Sequence, residues 1–396
     1  MNNLEITGVP RLASAVVMVM FLALTTPLYA AGTMIDLGEL ANNTPSHATG
    51  ISSDGAVVVG AGTINGEEHA FRWIQSGGMA DLGFLPGAKR SIAMGVSADG
   101  AVVVGNSEFP DGRQGVFRWT QSGGMINFGS MPDAKRFRVF GVSADAAVVA
   151  GNRRTATDTQ AYRWTQSGGM AGLNPLPGAE VSSVVGISAD GAVVVGNSSD
   201  AAGVTQVFRW TQSGGTVGLG FLPGATSSMA DGISADGTVV VGHSGIPGVN
   251  DHGFHWTQSA GMVALDELPG GTQITITGLS ANGAVMVGYG DIGKGRYRAF
   301  RWTKSGGMAV LDEPLPGYVH SYATAVSADG AVVVGHLGTR EGHLQAFRWT
   351  KSGGTKELAV LPGYTMSSAT HVSANGAVVV GQGERLGVAR TLRWAQ

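Results

Sequence analysis

Ser91-Ile92-Ala93-Met94-Gly95-Val96-Ser97 and Ala101-Val102-Val103-Val104-Gly105 read as two β-strands joined through Ala98-Asp99-Gly100. Val, Ile and aromatic residues suit a pleated, packed surface. A third run, Gly115-Val116-Phe117-Arg118-Trp119-Thr120, and a fourth, Met125-Ile126-Asn127-Phe128-Gly129, follow at once. This unit recurs through the chain. The eight Trp residues (Trp73, Trp119, Trp164, Trp210, Trp256, Trp302, Trp349 and Trp394) are spaced 46, 45, 46, 46, 46, 47 and 45 residues apart. Four antiparallel strands per ~45 residues is the measure of a propeller blade. The expected fold is all-β, an eight-bladed β-propeller. A parallel β-helix with two coils per unit is the rival, disfavoured because parallel neighbours cannot be joined by two residues.

The turns repeat with the strands. Asp-Gly or Asn-Gly joins the first two strands in seven copies: Asp54-Gly55, Asp99-Gly100, Asp190-Gly191, Asp236-Gly237, Asn282-Gly283, Asp329-Gly330 and Asn375-Gly376. Such pairs predict two-residue hairpins with both central residues at positive φ. Asp145-Ala146 in the third copy is then the most strained turn. Gln-Ser-Gly-Gly, as at Gln121-Ser122-Gly123-Gly124, joins strands three and four, and Leu-Pro-Gly, as at Leu85-Pro86-Gly87, leads to the next unit. The last copy stops at Leu392-Arg393-Trp394-Ala395-Gln396 without a fourth strand. Met34-Ile35-Asp36-Leu37-Gly38-Glu39-Leu40 matches Met79-Ala80-Asp81-Leu82-Gly83-Phe84-Leu85 one period later, so the N-terminus is expected to complete the last blade and close the ring.

Composition narrows the function. The chain of 396 residues has 64 Gly, no Cys, 13% charged residues and a formal net charge of -3. That balance argues against nucleic acid as a partner, and the lack of Cys removes disulfides, thiolate metal sites and cysteine nucleophiles. Residues 1–30 differ from the rest. Arg11 precedes an apolar run from Leu12 to Leu24, followed by Thr25-Thr26-Pro27-Leu28-Tyr29-Ala30. This reads as a secretory signal cleaved near Ala30, with residues 31–396 forming one propeller domain, secreted or periplasmic. The apolar run is shorter than the ~20 residues a spanning helix needs, so no stable membrane insertion is expected after cleavage.

His69-Ala70-Phe71-Arg72-Trp73, with the Gly-[Ile/Val]-Ser-Ala-Asp-Gly hairpin, resembles the HAF repeat family of predicted extracellular bacterial proteins. The signature His stands at His69 and His252; the other copies have Gly115, Gln160, Gln206, Arg298, Gln345 and Arg390, so the whole unit carries the resemblance. It implies export and a repeat fold, and no catalytic residues.

The copies also show where the chain is free to differ. The hairpins repeat closely, whereas the loops from second to third strand vary throughout, and loops on a rigid scaffold are where binding usually lives. At the end of the second strand, Asn106, Asn152, Asn197, His243, Tyr289, His336 and Gln382 occupy one equivalent position, where the first copy has Ala61. These seven are the candidate ligand-binding residues; the bland reading is that they hydrate the channel mouth. The Arg of Phe-Arg-Trp, present in seven copies and replaced by His255 in the fifth, is expected to be a structural tie to a turn Asp, and the Trp to serve blade packing. His243, Asp251, His252 and His255 are metal-ligating types, but His252 and His255 lie three apart on a strand and face opposite ways, so no metal and no cofactor is assigned. The leading expectation is an exported binding module for a glycan or protein. A propeller enzyme acting on polysaccharide, with charged residues converging at the central opening, and a structural surface protein are the alternatives.

Overall fold

The computed structural model describes residues 33–129, 134–248, 251–271, 273–311 and 315–396. The expected signal segment lies outside them. The described residues form eight four-stranded antiparallel sheets arranged as a ring. In the second blade the strands are Arg90–Val96, Val102–Glu108, Gln114–Thr120 and Gly124–Gly129. First strands touch the first strands of both neighbouring blades all the way round, so they are innermost, and fourth strands lie outermost. The second strand carries the most buried side chains, as in Val102, Val103 and Val104.

Ring closure follows the sequence expectation. Thr33–Asp36 pairs antiparallel with Val388–Ala395 in the register Thr33↔Ala395 to Asp36↔Leu392, as the outer strand of blade eight. Met34 and Leu37 are buried, Tyr364 donates its hydroxyl hydrogen bond to Asp36 at 2.6 Å, and Arg390 pairs with Glu39.

Each core cluster spans two blades. Val285, Val287 and Ala299 of blade six, for example, pack on Ala323, Val333 and Phe347 of blade seven. Burying one such Val is worth roughly 1.5–3 kcal/mol relative to exposure. Buried serines add polar seams between blades: the N–H groups of Ala70, Ala161 and Ala346 donate to the hydroxyls of Ser91, Ser182 and Ser367 at 2.9–3.0 Å.

All eight inner strands carry a β-bulge at the same place, for example between Ala93 and Gly95. Beside it the inner carbonyl crowds the second strand. A Cβ on Gly105 would sit 2.2 Å from the Ile92 oxygen, and one on Gly335 would sit 1.9 Å from the Tyr322 oxygen. That close approach is why the Val-Val-Val-Gly motif ends in Gly.

The Asp-Gly hairpins differ from the two-residue form expected. Ser97 N–H donates to Val102 O, leaving residues 98–101 between, and in this turn only Gly100 has positive φ, 73°. The Asp accepts instead: Ser97 Oγ donates to Asp99 Oδ1 at 2.6 Å, and Ala101 N–H does so at 3.0 Å. These bonds hold the Asp99 carboxyl below its usual range. A side-chain cap of this kind stabilises a wider loop than positive φ at both positions would allow. The two-residue turns lie at the opposite end of the blade, at Asn65-Gly66 (φ 51° and 85°) and Leu386-Gly387 (φ 53° and 74°). In the third blade Ala146 does occupy the left-handed region, at φ 54°.

Candidate binding rim

The two ends of the ring are built differently. At the hairpin end the turns are linked by backbone hydrogen bonds of 2.7–3.1 Å in a closed circle. Ser53 donates to Ala98, Ala98 to Ala144, Ala144 to Ala189 and Ala189 to Ala235; Asp236 donates to Ala281, Ala281 to Ala328, Ala328 to Ala374, and Ala374 back to Ser53. The Arg of Phe-Arg-Trp reinforces this end. Arg72 donates to the Gly100 carbonyl of the next blade at 3.2 Å and lies over Trp119 at 5.8 Å; Arg163 repeats this with Gly191 and Trp210. The tie expected to a turn Asp is therefore made to the turn Gly carbonyl, because the Asp oxygen is already committed to its own turn. In blade five the His255 ring packs on Trp302 in place of the Arg, with centroids 5.0 Å apart and planes tilted by 41°.

The opposite end carries the loops from second to third strand and the crossings between blades. The seven candidate residues all lie there, on second strands and part-buried, one strand out from the channel. Their side chains make different contacts. Asn106 spans the seam to blade three: Nδ2 donates to Phe137 O at 2.6 Å, and Oδ1 accepts from Val139 N–H at 3.2 Å. Asn152 accepts from Val184 N–H, and Asn197 from Ala230 N–H, both at 2.8 Å. These three carboxamides tie blades together. His243 pairs with Asp231 at 3.3 Å, and that hydrogen bond raises its pKa. Gln382 faces Ser368 across its sheet.

Tyr289 and His336 belong to something the sequence position alone does not reveal. Between blades six and seven they meet Tyr297, His320 and Tyr322. Tyr322 is the hub. Its ring lies 4.9 Å from His336 (26° between planes), 5.7 Å from Tyr297 (28°), 4.9 Å from Tyr289 (73°) and 6.1 Å from His320 (31°). Tyr297 is 38% exposed. Burial lowers the pKa of His336; burial and then the Arg298 charge lower that of His320; burial and the adjoining tyrosines raise that of Tyr322. Nδ1 of His320 accepts the Tyr297 backbone N–H at 3.3 Å, which suits a neutral imidazole. Strand alternation places the residue before His69's counterpart, the third residue of the next inner strand and the end of the second strand side by side. Comparing these positions together, rather than singly, is the signal that picks out Tyr297, Tyr322 and Tyr289.

His252 and His255 of blade five are held apart. His252 pairs with Glu267 at 3.5 Å, while His255 lies on Trp302. Among the described residues, no group of three or more His, Asp or Glu is arranged to hold a metal ion.

No family model and no curated protein matches this chain. Solved structures do. The chain is similar to dipeptidyl peptidase 4 of Porphyromonas gingivalis, with TM-score 0.58, 11% identity, and coverage of 91% of this chain and 60% of that one. It is similar to an oligogalacturonate lyase from Vibrio parahaemolyticus, with TM-score 0.53, 10% identity, and coverage of 91% and 93%. It is also similar to the Dos1 propeller, with TM-score 0.55, 11% identity, and coverage of 91% and 94%. These likenesses show the propeller fold and nothing finer.

Proposed function

We propose that this chain is an exported binding module that takes a glycan on its variable rim. The observation carrying this reading is the aromatic cluster between blades six and seven, where the rings of Tyr289, Tyr297 and Tyr322 gather around one hub and Tyr297 is open to solvent. Aromatic faces pair a large apolar area with hydroxyl groups at their edges, as sugar rings require. The hairpin rim, closed by its circle of backbone bonds, is the scaffold. Export is the companion proposal, supported by the signal-like residues 1–30 and by the resemblance to the HAF repeat family.

Equilibrium binding of residues 31–396 to a broad glycan array, with calcium and with chelator, tests the reading. Saturable binding to a defined sugar set is the expected result. Binding to no glycan would move the search to protein partners and set the glycan reading aside.

A further inference from the structure

Blade three carries a second feature of the same rim. Lys135, Arg136 and Arg138 lie on or just before its inner strand, and Arg153 and Arg154 end its second strand. Arg136 is directly opposite Arg154 in the antiparallel register, a like-charge pair that disfavours the sheet. The Arg138 guanidinium rests over the Phe140 ring at 5.5 Å, and Arg153 donates to Gln160. Among the described residues none of the five cations joins an ion pair.

Blade two is the internal control. Lys89 and Arg90 occupy the positions of Lys135 and Arg136, and Glu108 stands opposite Arg90 where Arg154 stands opposite Arg136. There Lys89 pairs with Glu108 at 3.9 Å and Arg90 with Glu68 at 2.5 Å. The same fold therefore accommodates acidic partners at this edge, and blade three holds Arg instead. The chain is net negative, so the patch is a local concentration of charge.

We infer that the edge of blade three binds an anionic glycan, its carboxylates or sulfates supplying the counter-charge that Glu108 supplies in blade two. This rests on the rim being the ligand surface. Four of the five cations are Arg, whose planar fork matches carboxylate and sulfate oxygens in pairs. The Phe140 ring beside them carries the Arg138 guanidinium and is 43% exposed, and the net negative charge of the chain argues against nucleic acid as the anion.

The test uses the chain of residues 31–396 with polygalacturonate and heparin as carboxylate and sulfate probes. Dextran, phosphatidylglycerol vesicles and single-stranded DNA serve as comparisons. Wild type should bind at least one acidic polysaccharide, more weakly as salt rises. Arg154→Glu should lower that affinity at least tenfold while leaving the melting temperature equal or higher, since it recreates the blade-two pairing. Arg136→Glu should weaken binding similarly. Equal affinities of wild type and both variants, or tighter binding to the vesicles or DNA than to either polysaccharide, would overturn the inference. Binding confined to neutral glycans and unaffected by Arg154→Glu would overturn it too, while leaving the glycan reading of the rim standing.

Discussion

The backbone N–H of Ala374 donates to the carbonyl of Ser53 at 2.9 Å, joining the last blade to the first. At the outer edge of the same seam Met34 pairs with Trp394, so the closure is held from both sides of blade eight. Removing residues 33–40 deletes the buried side chains of Met34 and Leu37 along with the Glu39 partner of Arg390. Losses of ~2–5 kcal/mol per buried side chain imply a melting temperature lower by on the order of 10 °C. Differential scanning calorimetry checks this; an unchanged transition would mean that the outer strand does not lock the ring.

Ala146 sits at φ 54° where seven other turns place Gly, so Ala146→Gly should stabilise the chain. The left-handed conformation costs a non-Gly residue about 1 kcal/mol. The reverse change, Gly191→Ala, adds that strain and brings a Cβ to 2.5 Å from Val148 Cγ2. It should destabilise by at least ~2 kcal/mol. Chemical denaturation of both variants gives the two signs; opposite signs would refute the turn assignment.

Asn106 bonds the next blade through both ends of its carboxamide. Asn106→Ala should therefore cost about 1–3 kcal/mol of stability, as expected when buried backbone groups lose their partner. Ligand affinity should stay within twofold of wild type. A loss of affinity without a loss of stability would make Asn106 a ligand contact rather than an inter-blade tie.

His371 stands on the inner strand where the other blades have Gly50, Gly95, Gly141, Gly186, Gly232, Gly278 and Ala325. Burial holds its pKa below the ordinary imidazole value, partly offset by the Thr49 backbone. Its unfolded form therefore takes up a proton at higher pH than its folded form. The stability it contributes is complete above the ordinary value of about 6.5 and is lost as pH falls from there toward the folded value. His371→Gly should flatten the decline in melting temperature between about pH 7 and pH 5. Parallel curves for variant and wild type would exclude His371 as a source of acid sensitivity; His255 and His336, also lowered by burial, would then be the groups to substitute.

The fold is legible in the sequence because its determinants repeat. Trp119 and its seven counterparts set the period, Asp99-Gly100 and its relatives mark one end of each blade, and the likeness of Met34–Leu40 to Met79–Leu85 foretells closure. The bulge is not legible, since the residue it displaces is Thr49 in one blade, Met94, Phe140 or Asp231 in others, and the backbone rather than the side chain is what changes. The turn type is misjudged from Asp-Gly alone, because the serine two residues before the Asp decides it by capping. The candidate rim is half legible. One aligned position finds Tyr289 and His336, but Tyr297 and Tyr322 come from another strand and another blade, and only the inter-blade register brings them together.

The most direct test of the glycan reading is to compare wild type, Tyr297→Ala and Tyr322→Ala against whichever glycans bind residues 31–396, with melting curves recorded for each. Tyr297→Ala should lose affinity by tenfold or more, about 1.4 kcal/mol or above, while its melting temperature stays near that of wild type, as suits an exposed ring. Tyr322→Ala should lose affinity and some stability together, as the hub of the cluster. Glycan binding that survives both substitutions would contradict the assignment of this aromatic cluster.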